Sequence, residues 1–195
     1  MSTLKPIRKA LISVYHKDRL EPIVRRLHSE GVELLSTGGS RQFLESLGIP
    51  CTPVESLTGY PSILGGRVKT LHPKIFGGIL GRPALESDAA DMAEHAIGAI
   101  DLVVVDLYPF EDTVASGASK ADIIEKIDIG GISLIRAAAK NHAEVAIIPS
   151  RAEYGVLEGI LSANGAATTE EERQFLAFRA FAVSSAYDSA ICNWF

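Results

Sequence analysis

The chain has 195 residues, 47% of them hydrophobic and 22% charged, with a formal net charge of -5 at pH 7. That length suffices for one substantial core, so we expect a single domain over residues 1–195, and the acidic balance argues against a general nucleic-acid binder. The sequence has no leader pattern and no apolar run of roughly 18 residues, so we expect a cytoplasmic protein with no membrane segment. Cys51 and Cys192 do not have the spacing of metal ligands, so we expect no metal.

The first part of the chain alternates strand and helix patterns. "KALISV" (9–14) predicts a strand, and the segment that follows predicts a helix ended by Gly31. "VELLST" (32–37) predicts a second strand and "SRQFLESLG" (40–48) a second helix. This βαβα order predicts a parallel sheet wrapped by helices.

The remainder continues the same alternation. "IDLVVVDLYPF" (100–110) has the unbroken apolar run of a central strand, and "EVAIIPS" (144–150) predicts the last strand of a sheet of about five. The intervening helices are predicted over 85–98, 119–128 and 130–142. Capping-box patterns at Ser150 and Thr169 open the last two helices. The final helix is long, runs towards Trp194, and has Phe175, Phe178 and Phe181 available to pack.

Polar residues follow several of these strands, where ligands bind in an open parallel sheet. They are Ser13, His16 and Lys17 after the first strand, "STGGS" (36–40) after the second, Tyr108 after the central strand, and Asp128 before a glycine pair. The glycines of "STGGS" predict a phosphate cradle at a helix N-terminus, although they also suit an ordinary strand-to-helix turn. We therefore expect an anion-binding α/β domain.

The stretch "GGRVKTLHP" (65–73) has too few apolar residues to fold by burial alone. If it is extended, Arg67 and Lys69 point to the same side and can clamp a phosphate or an oxyanion. A solvated basic loop is the structural alternative. Arg136 and Lys140 share a helix face, which solvation also explains, and Asp128 and Tyr108 could be a helix cap and a core edge.

Taken together, these motifs resemble one family along nearly the whole chain. "LLSTGGS", "GRVKTLHPKIFGGIL", "DLVVVDLYPF" and "IDIGGISLIRAAAKNH" are similar, in the same order, to the inosine-monophosphate cyclohydrolase domain of the bifunctional purine-biosynthesis enzyme. The resemblance implies a methylglyoxal-synthase-like fold, a doubly wound α/β domain with a mainly parallel five-stranded sheet. It also implies ring closure of 5-formamidoimidazole-4-carboxamide ribonucleotide to inosine monophosphate with loss of water.

The resemblance assigns residue roles by motif. It implies a catalytic set of Lys69, Tyr108, Asp128 and Lys140. It implies substrate contacts at Ser13, Lys17, Ser36, Thr37, Gly38, Gly39, Arg67 and Thr70. No cofactor or metal is implied, and the implied partners are a purine nucleotide and, as a homodimer, a second copy of the chain.

The chain departs from the family pattern in a few places. His16 and Asp18 stand where the family more often has Asp and Thr, and Gly65 stands where Asp is common. Family members usually continue into a formyltransferase domain, which we expect to be absent from these 195 residues, as in a stand-alone enzyme or an excised domain.

Two other functions are compatible with this type of fold. A methylglyoxal synthase would need carboxylate bases near the cradle, but no acidic residue follows "LLSTGGS" before Glu45. A non-catalytic regulatory module would use the cradle, but it would have no use for Lys69, Tyr108, Asp128 and Lys140. The sequence therefore favours an enzyme.

Overall fold

Five parallel strands form the central sheet of the computed structural model, which describes residues 3–195. Their order is β4-β3-β2-β5-β6, with bounds Thr52–Pro53, Glu33–Ser36, Lys9–Val14, Leu102–Asp106 and Ala146–Ile148. The chain builds outward from β2 first to one side and then to the other, so the order reverses between β2 and β5. The predicted doubly wound parallel sheet is confirmed. A separate antiparallel pair joins β1 (Lys5–Pro6) to β7 (Ala167–Thr168).

Helices flank this sheet. Their bounds are α1 Leu20–Ser29, α2 Gly38–Ser46, α3 Val54–Thr58, α4 Pro73–Leu80, α5 Glu86–Glu94, α6 Phe110–Ala115, α7 Lys120–Glu125, α8 Gly130–Lys140, α9 Tyr154–Asn164 and α10 Glu170–Trp194. The short elements β4, α3 and α6 and the apolar α4 were not predicted, because each is too short or too glycine-rich to show a period. None of the helices in residues 3–195 is long and apolar enough to cross a membrane.

The core lies on both faces of the central strands. Leu102, Val103 and Val104 of β5 are fully buried, which explains the unbroken apolar run of this strand. On one face, α8 packs against β5 and β6, and α10 packs against α8. The alanines of α8 are buried and let these layers approach closely. This packing places the first residues of α8 at the carboxyl edge of the sheet.

The long helix α10 buries a different face from the one its phenylalanines suggest. Leu176, Ala177 and Ala180 are buried, whereas Phe175, Phe178 and Phe181 are 42–65% exposed. Small residues permit close contact with α8, and the larger aromatic side chains consequently lie outside. The capping box at Thr169 is confirmed.

The predicted capping box at Ser150 does not form. The Ser150 hydroxyl accepts from Ala152 N–H, but it also donates to Glu153, whose carboxylate is buried and bound by Arg179. A 3₁₀ turn over Arg151–Glu153 therefore precedes α9.

Candidate active site

A cleft of about 590 Å³ lies at the carboxyl edge of the sheet, near the point where the strand order reverses. Four segments build it: the β2–α1 loop, the β3–α2 turn, the loop before α4, and the residues after β5 that lead into α8. The lining residues are Ser13, Val14, Tyr15, Lys17, Thr37, Gly39, Ser40, Gly65, Gly66, Arg67, Lys69, Thr70, Asp106, Tyr108, Ile124, Glu125, Ile127, Asp128, Ile129, Gly130 and Gly131.

The β3–α2 turn forms a cradle suited to an anion. Thr37 is extended and makes no side-chain cap on α2, so it leaves the first N–H groups of that helix to a ligand. Gly38 has a positive φ of 41°, which the tight entry into α2 requires. The Ser13 and Thr37 hydroxyl oxygens lie 3.3 Å apart at the same turn. Backbone donors and two hydroxyl groups thus converge on one side of the cleft.

Lys17 adds a positive charge to this cradle. Its ammonium group donates to the carbonyl oxygens of Val14 and Tyr15, at 2.8 and 2.6 Å, and it lies beside Gly39. Burial lowers the pKa of Lys17, the charge of Lys69 lowers it further, and the Asp106 carboxylate opposes the shift. The two hydrogen bonds to backbone carbonyl oxygens hold the Lys17 side chain next to the turn.

The loop before α4 supplies further cations. Gly65 and Gly66 have φ values of 66° and 90°, which bend the chain so that Arg67 and Lys69 both line the cleft. Arg67 is paired with Glu125, and both side chains are mostly exposed. Thr70 is buried next to Gly130. The predicted loop at 65–73 is therefore a wall of the cleft, and α4 begins at its Pro73.

Asp128 lies at the start of α8 in a crowded position. Its carboxylate accepts a 2.7 Å hydrogen bond from Gly131 N–H, and its own N–H donates to the Tyr187 hydroxyl at 2.8 Å. Burial raises the pKa of Asp128, although the Gly131 N–H and the Lys69 charge partly offset that effect. A β-carbon at Gly131 would lie 2.6 Å from Asp128 Oδ2, so only glycine fits there without displacing the carboxylate.

Tyr108 closes the same side of the cleft. Its ring makes an edge contact with Tyr15 at 5.4 Å between centroids, and the Lys126 ammonium lies 5.7 Å from its centroid. Burial raises the pKa of the Tyr108 phenol, and the negative charges of Asp128 and Glu125 raise it further. The phenol therefore remains protonated and able to donate near neutral pH.

Most of the predicted site residues meet in this cleft. Those that line it are Ser13, Lys17, Thr37, Gly39, Arg67, Lys69, Thr70, Tyr108 and Asp128. Ser36 and Gly38 do not line it: the Ser36 hydroxyl donates to Ile12 O, and Gly38 shapes the turn. Lys140 is exposed at the end of α8, ten residues after Gly130 and so roughly 15 Å along the helix from the cleft.

Several lining residues were not predicted. Tyr15 directly follows β2, and Asp106 is the last residue of β5, the neighbouring strand. Both line the cleft, and their positions at strand ends could have been used to predict this from the strand pattern alone. Glu125 is part of the cleft because α7 turns it towards Arg67, which no local pattern shows. Among residues 3–195, no group of three or more His, Cys, Asp or Glu side chains is arranged to hold a metal ion.

Comparisons with known proteins agree with this architecture. A family model described as "MGS-like domain" matches residues 19–133, and one described as "AICARFT/IMPCHase bienzyme" matches residues 138–195. The chain is 65% identical, over its full length, to the bifunctional purine biosynthesis protein PurH of Bacteroides thetaiotaomicron. It is 54% identical, over 97% of its length, to the PurH protein of Rhodospirillum rubrum. It spans 38% and 36% of these two relatives, respectively.

A solved structure has a similar fold. The structure described as "Crystal structure of ForH" superposes with a TM-score of 0.77 at 34% identity, over 94% of each chain. The similarity therefore extends over nearly the whole of that chain.

Proposed function

The chain belongs to the MGS-like domain family, and from that premise we propose that it is an inosine-monophosphate cyclohydrolase. The substrate would be 5-formamidoimidazole-4-carboxamide ribonucleotide, and the products inosine monophosphate and water. The similarity to PurH proteins supports this assignment. In the proposal, the chain acts as one domain in the cytoplasm, without a cofactor or a metal.

One observation carries the proposal: a phosphate cradle and a set of proton-transfer groups share one cleft. The cradle is formed by the β3–α2 turn with Ser13 and Lys17, and Lys69, Tyr108 and Asp128 line the same cavity. A ligand with a phosphate at one end and a reacting polar ring at the other matches this distribution. A module that only binds phosphate would need no such second set.

The geometry suits an intramolecular ring closure. The carboxamide nitrogen and the formyl carbon are on one imidazole ring, so fixing the reactive rotamer captures most of the entropic advantage. A carbon–nitrogen bond then forms, and the formyl oxygen gains negative charge before it leaves as water. Lys69 and Tyr108 are assigned to that oxygen, because an ammonium group and a protonated phenol both donate hydrogen bonds.

Asp128 is assigned to the carboxamide. Its carboxylate is fixed by Gly131 N–H, and it can accept a hydrogen bond from the attacking nitrogen and receive its proton. The raised pKa of Asp128 makes it a better base than an ordinary aspartate. Release of water breaks the carbon–oxygen bond and needs two protons on that oxygen, which Lys69 and Tyr108 donate. The ring closure frees two protons in turn: one passes from the carboxamide nitrogen to Asp128, and one leaves the formamido nitrogen as the ring carbon–nitrogen double bond forms. Return of these two protons to Lys69 and Tyr108 restores the site, so the protons balance.

Lys140 is assigned to the cleft of a second copy. The resemblance includes this lysine in the catalytic set, yet its exposed position at the end of α8 keeps it away from the cleft of its own chain. Arg136, one turn earlier on α8, lies over the ring of Phe181, so the exposed faces of α8 and α10 are continuous. A homodimer formed through this face would bury Phe178 and Phe181 and present Lys140 to the partner.

Mixing inactive variants tests the assignment of Lys140. Lys69→Ala and Lys140→Ala chains are each expected to be inactive, whereas a mixed dimer regains one working site when Lys140 acts across the interface. No recovery after subunit exchange, with mixed dimers demonstrated by tagged copies, would contradict action in trans. Retained turnover by Lys140→Arg would contradict proton transfer by this lysine, since Arg keeps the charge but does not readily deprotonate.

The activity itself is tested by ultraviolet absorbance, which follows purine-ring formation from the formamido ribonucleotide. We expect turnover that persists with a chelator, collapses in Lys69→Ala and is unchanged in Lys120→Ala, a variant of an exposed lysine on α7. No turnover, with nucleotide binding intact, would contradict the enzyme assignment and favour a regulatory binding module.

A further inference from the structure

A histidine–aspartate pair lies at the phosphate end of the cleft and has no part in the proposed chemistry. Asp106 is the last residue of β5, and His16 lies in the loop after the neighbouring strand β2. Asp106 Oδ2 accepts from the backbone N–H of His16 at 2.8 Å and lies 2.6 Å from Nδ1 of its ring. The Asp106 side chain is 10% exposed and that of His16 is 29% exposed.

The position of Asp106 is unfavourable for an anion site. Its carboxylate lines the cleft beside the cradle. Burial lowers the pKa of Lys17 and raises that of Asp128, and the Asp106 charge opposes the first shift and adds to the second, so it acts on the groups around the ligand. A phosphate bound near Lys17 would be repelled by this carboxylate. A cleft that binds a phosphorylated substrate therefore needs to compensate the charge of Asp106.

The other charged groups near Asp106 do not supply that compensation directly. Lys17 donates to two backbone carbonyl oxygens, and Arg151 pairs with Asp18 at 2.7 Å. The Tyr154 hydroxyl is the one buried side-chain polar atom in the described residues with no hydrogen-bond partner. Burial raises the pKa of its phenol, and the charges of Asp106 and Asp18 raise it further. In the described part of the chain, the only side chain recorded as hydrogen-bonded to the Asp106 carboxylate is His16.

This contact also accounts for a departure noted in the sequence. The family that the chain resembles more often has Asp where this chain has His16. An aspartate at that position would place a second carboxylate against Asp106, where like charges destabilise each other. In this chain, a nitrogen donor occupies the position instead, and both hydrogen bonds to Oδ2 come from the same residue.

We propose that His16 is a positioning residue that fixes and compensates the Asp106 carboxylate, so that the adjacent cradle can accept the 5′-phosphate of the substrate. The inference rests on the proposed function for the identity of the ligand. His16 itself touches neither the phosphate nor the reacting atoms. Its contribution is to hold the Asp106 carboxylate in two hydrogen bonds, which weakens the repulsion between that carboxylate and the phosphate.

Ligand binding by the full chain tests this inference without requiring turnover. In His16→Ala, the dissociation constant for inosine monophosphate should rise on the order of tenfold, because an uncompensated charge near the surface acts on the kilocalorie scale. Binding of inosine, which lacks the phosphate, should be unchanged. Adding Asp106→Asn to His16→Ala should restore binding of the nucleotide. In turnover, KM for the formamido ribonucleotide should rise while kcat is largely retained.

The controls separate this role from a structural one. His95→Ala, on an exposed helix end, should leave both dissociation constants unchanged. His16→Asn keeps a neutral donor near Asp106, so it provides a second, milder variant in case His16→Ala does not fold, and its nucleotide affinity should be closer to wild type. Equal weakening of nucleotide and nucleoside binding, or no restoration by Asp106→Asn, would overturn the inference.

Failure of the inference is distinguishable from failure of the proposed function. A wild-type protein that binds inosine monophosphate but does not close the ring contradicts the enzyme assignment and leaves the role of His16 supported by the binding data. A wild-type protein that turns over the substrate, with His16→Ala indistinguishable from it, contradicts the role of His16 alone. Absence of nucleotide binding in the wild type contradicts both.

Discussion

Replacement of Gly131 by alanine should damage catalysis far more than folding. The new β-carbon would lie 2.6 Å from Asp128 Oδ2 and 3.0 Å from a side-chain carbon of Leu107. An ordinary contact between the β-carbon and Oδ2 is about 3.4 Å, so the carboxylate must move by roughly 0.8 Å from its 2.6 Å position. Because the carboxylate is also held by Gly131 N–H, this movement strains the hydrogen bond that orients it.

The expected magnitudes follow from that displacement. A misplacement of about 1 Å in a catalytic group can cost on the order of 100-fold, so kcat should fall by about that factor. Overpacking costs about 1–3 kcal/mol, and alanine is about 1 kcal/mol better than glycine within a helix. The free energy of unfolding should therefore fall by no more than about 2 kcal/mol.

Steady-state kinetics and urea denaturation of the same preparations measure both effects. Gly159→Ala is the matched control, since a β-carbon there meets nothing within 4 Å and Gly159 lies on α9, away from the cleft. It should be slightly more stable than wild type, with unchanged kcat. A Gly131→Ala enzyme that kept wild-type kcat would refute the assignment of a catalytic role to the position of Asp128.

Three further substitutions test the charges and contacts that support the cleft. Burial raises the pKa of Asp128 above 3.8, so the ionised carboxyl group lowers the free energy of unfolding at pH 7. Asp128→Asn should therefore be more stable than wild type at pH 7. Below pH 3.8 the wild-type carboxyl group is protonated in both the folded and the unfolded chain, so this advantage should disappear. Tyr187→Phe removes the hydroxyl that bridges Asp128 N–H and Lys126 O, at a cost of about 1–3 kcal/mol. Arg173→Met should cost about 3 kcal/mol, because its buried guanidinium donates to the carbonyls of the α8–β6 loop and of Thr168.

Denaturation curves check all three substitutions. For Asp128→Asn they are recorded across pH, and an advantage that persisted in acid would contradict the raised pKa as its source. For Tyr187→Phe, an unchanged midpoint would show that the two backbone groups find other partners. Arg41→Ala, which removes an exposed i,i+4 pair with Glu45, is the control for Arg173 and should leave the denaturation midpoint nearly unchanged.

Local sequence patterns predicted four of the five strands of the central sheet, its longer helices and most of the segments that line the cleft. "KALISV" coincides with β2, and the apolar face of α1, with Leu20, Ile23 and Leu27, is buried as its period predicts. Local patterns were sufficient because burial of a regular apolar face dominates the choice between strand and helix. The glycine turn after β3 and the cations at Arg67 and Lys69 were likewise visible as local patterns.

Which of these residues share a cleft depends on the tertiary structure. Lys140 has the right residue type in the right motif, but the length of α8 carries it away from the start of that helix. The contact between His16 and Asp106 joins residues 90 positions apart, and it exists because β2 and β5 are neighbours in the sheet. Such contacts depend on strand order and on side-chain packing across elements, which no period along the chain encodes.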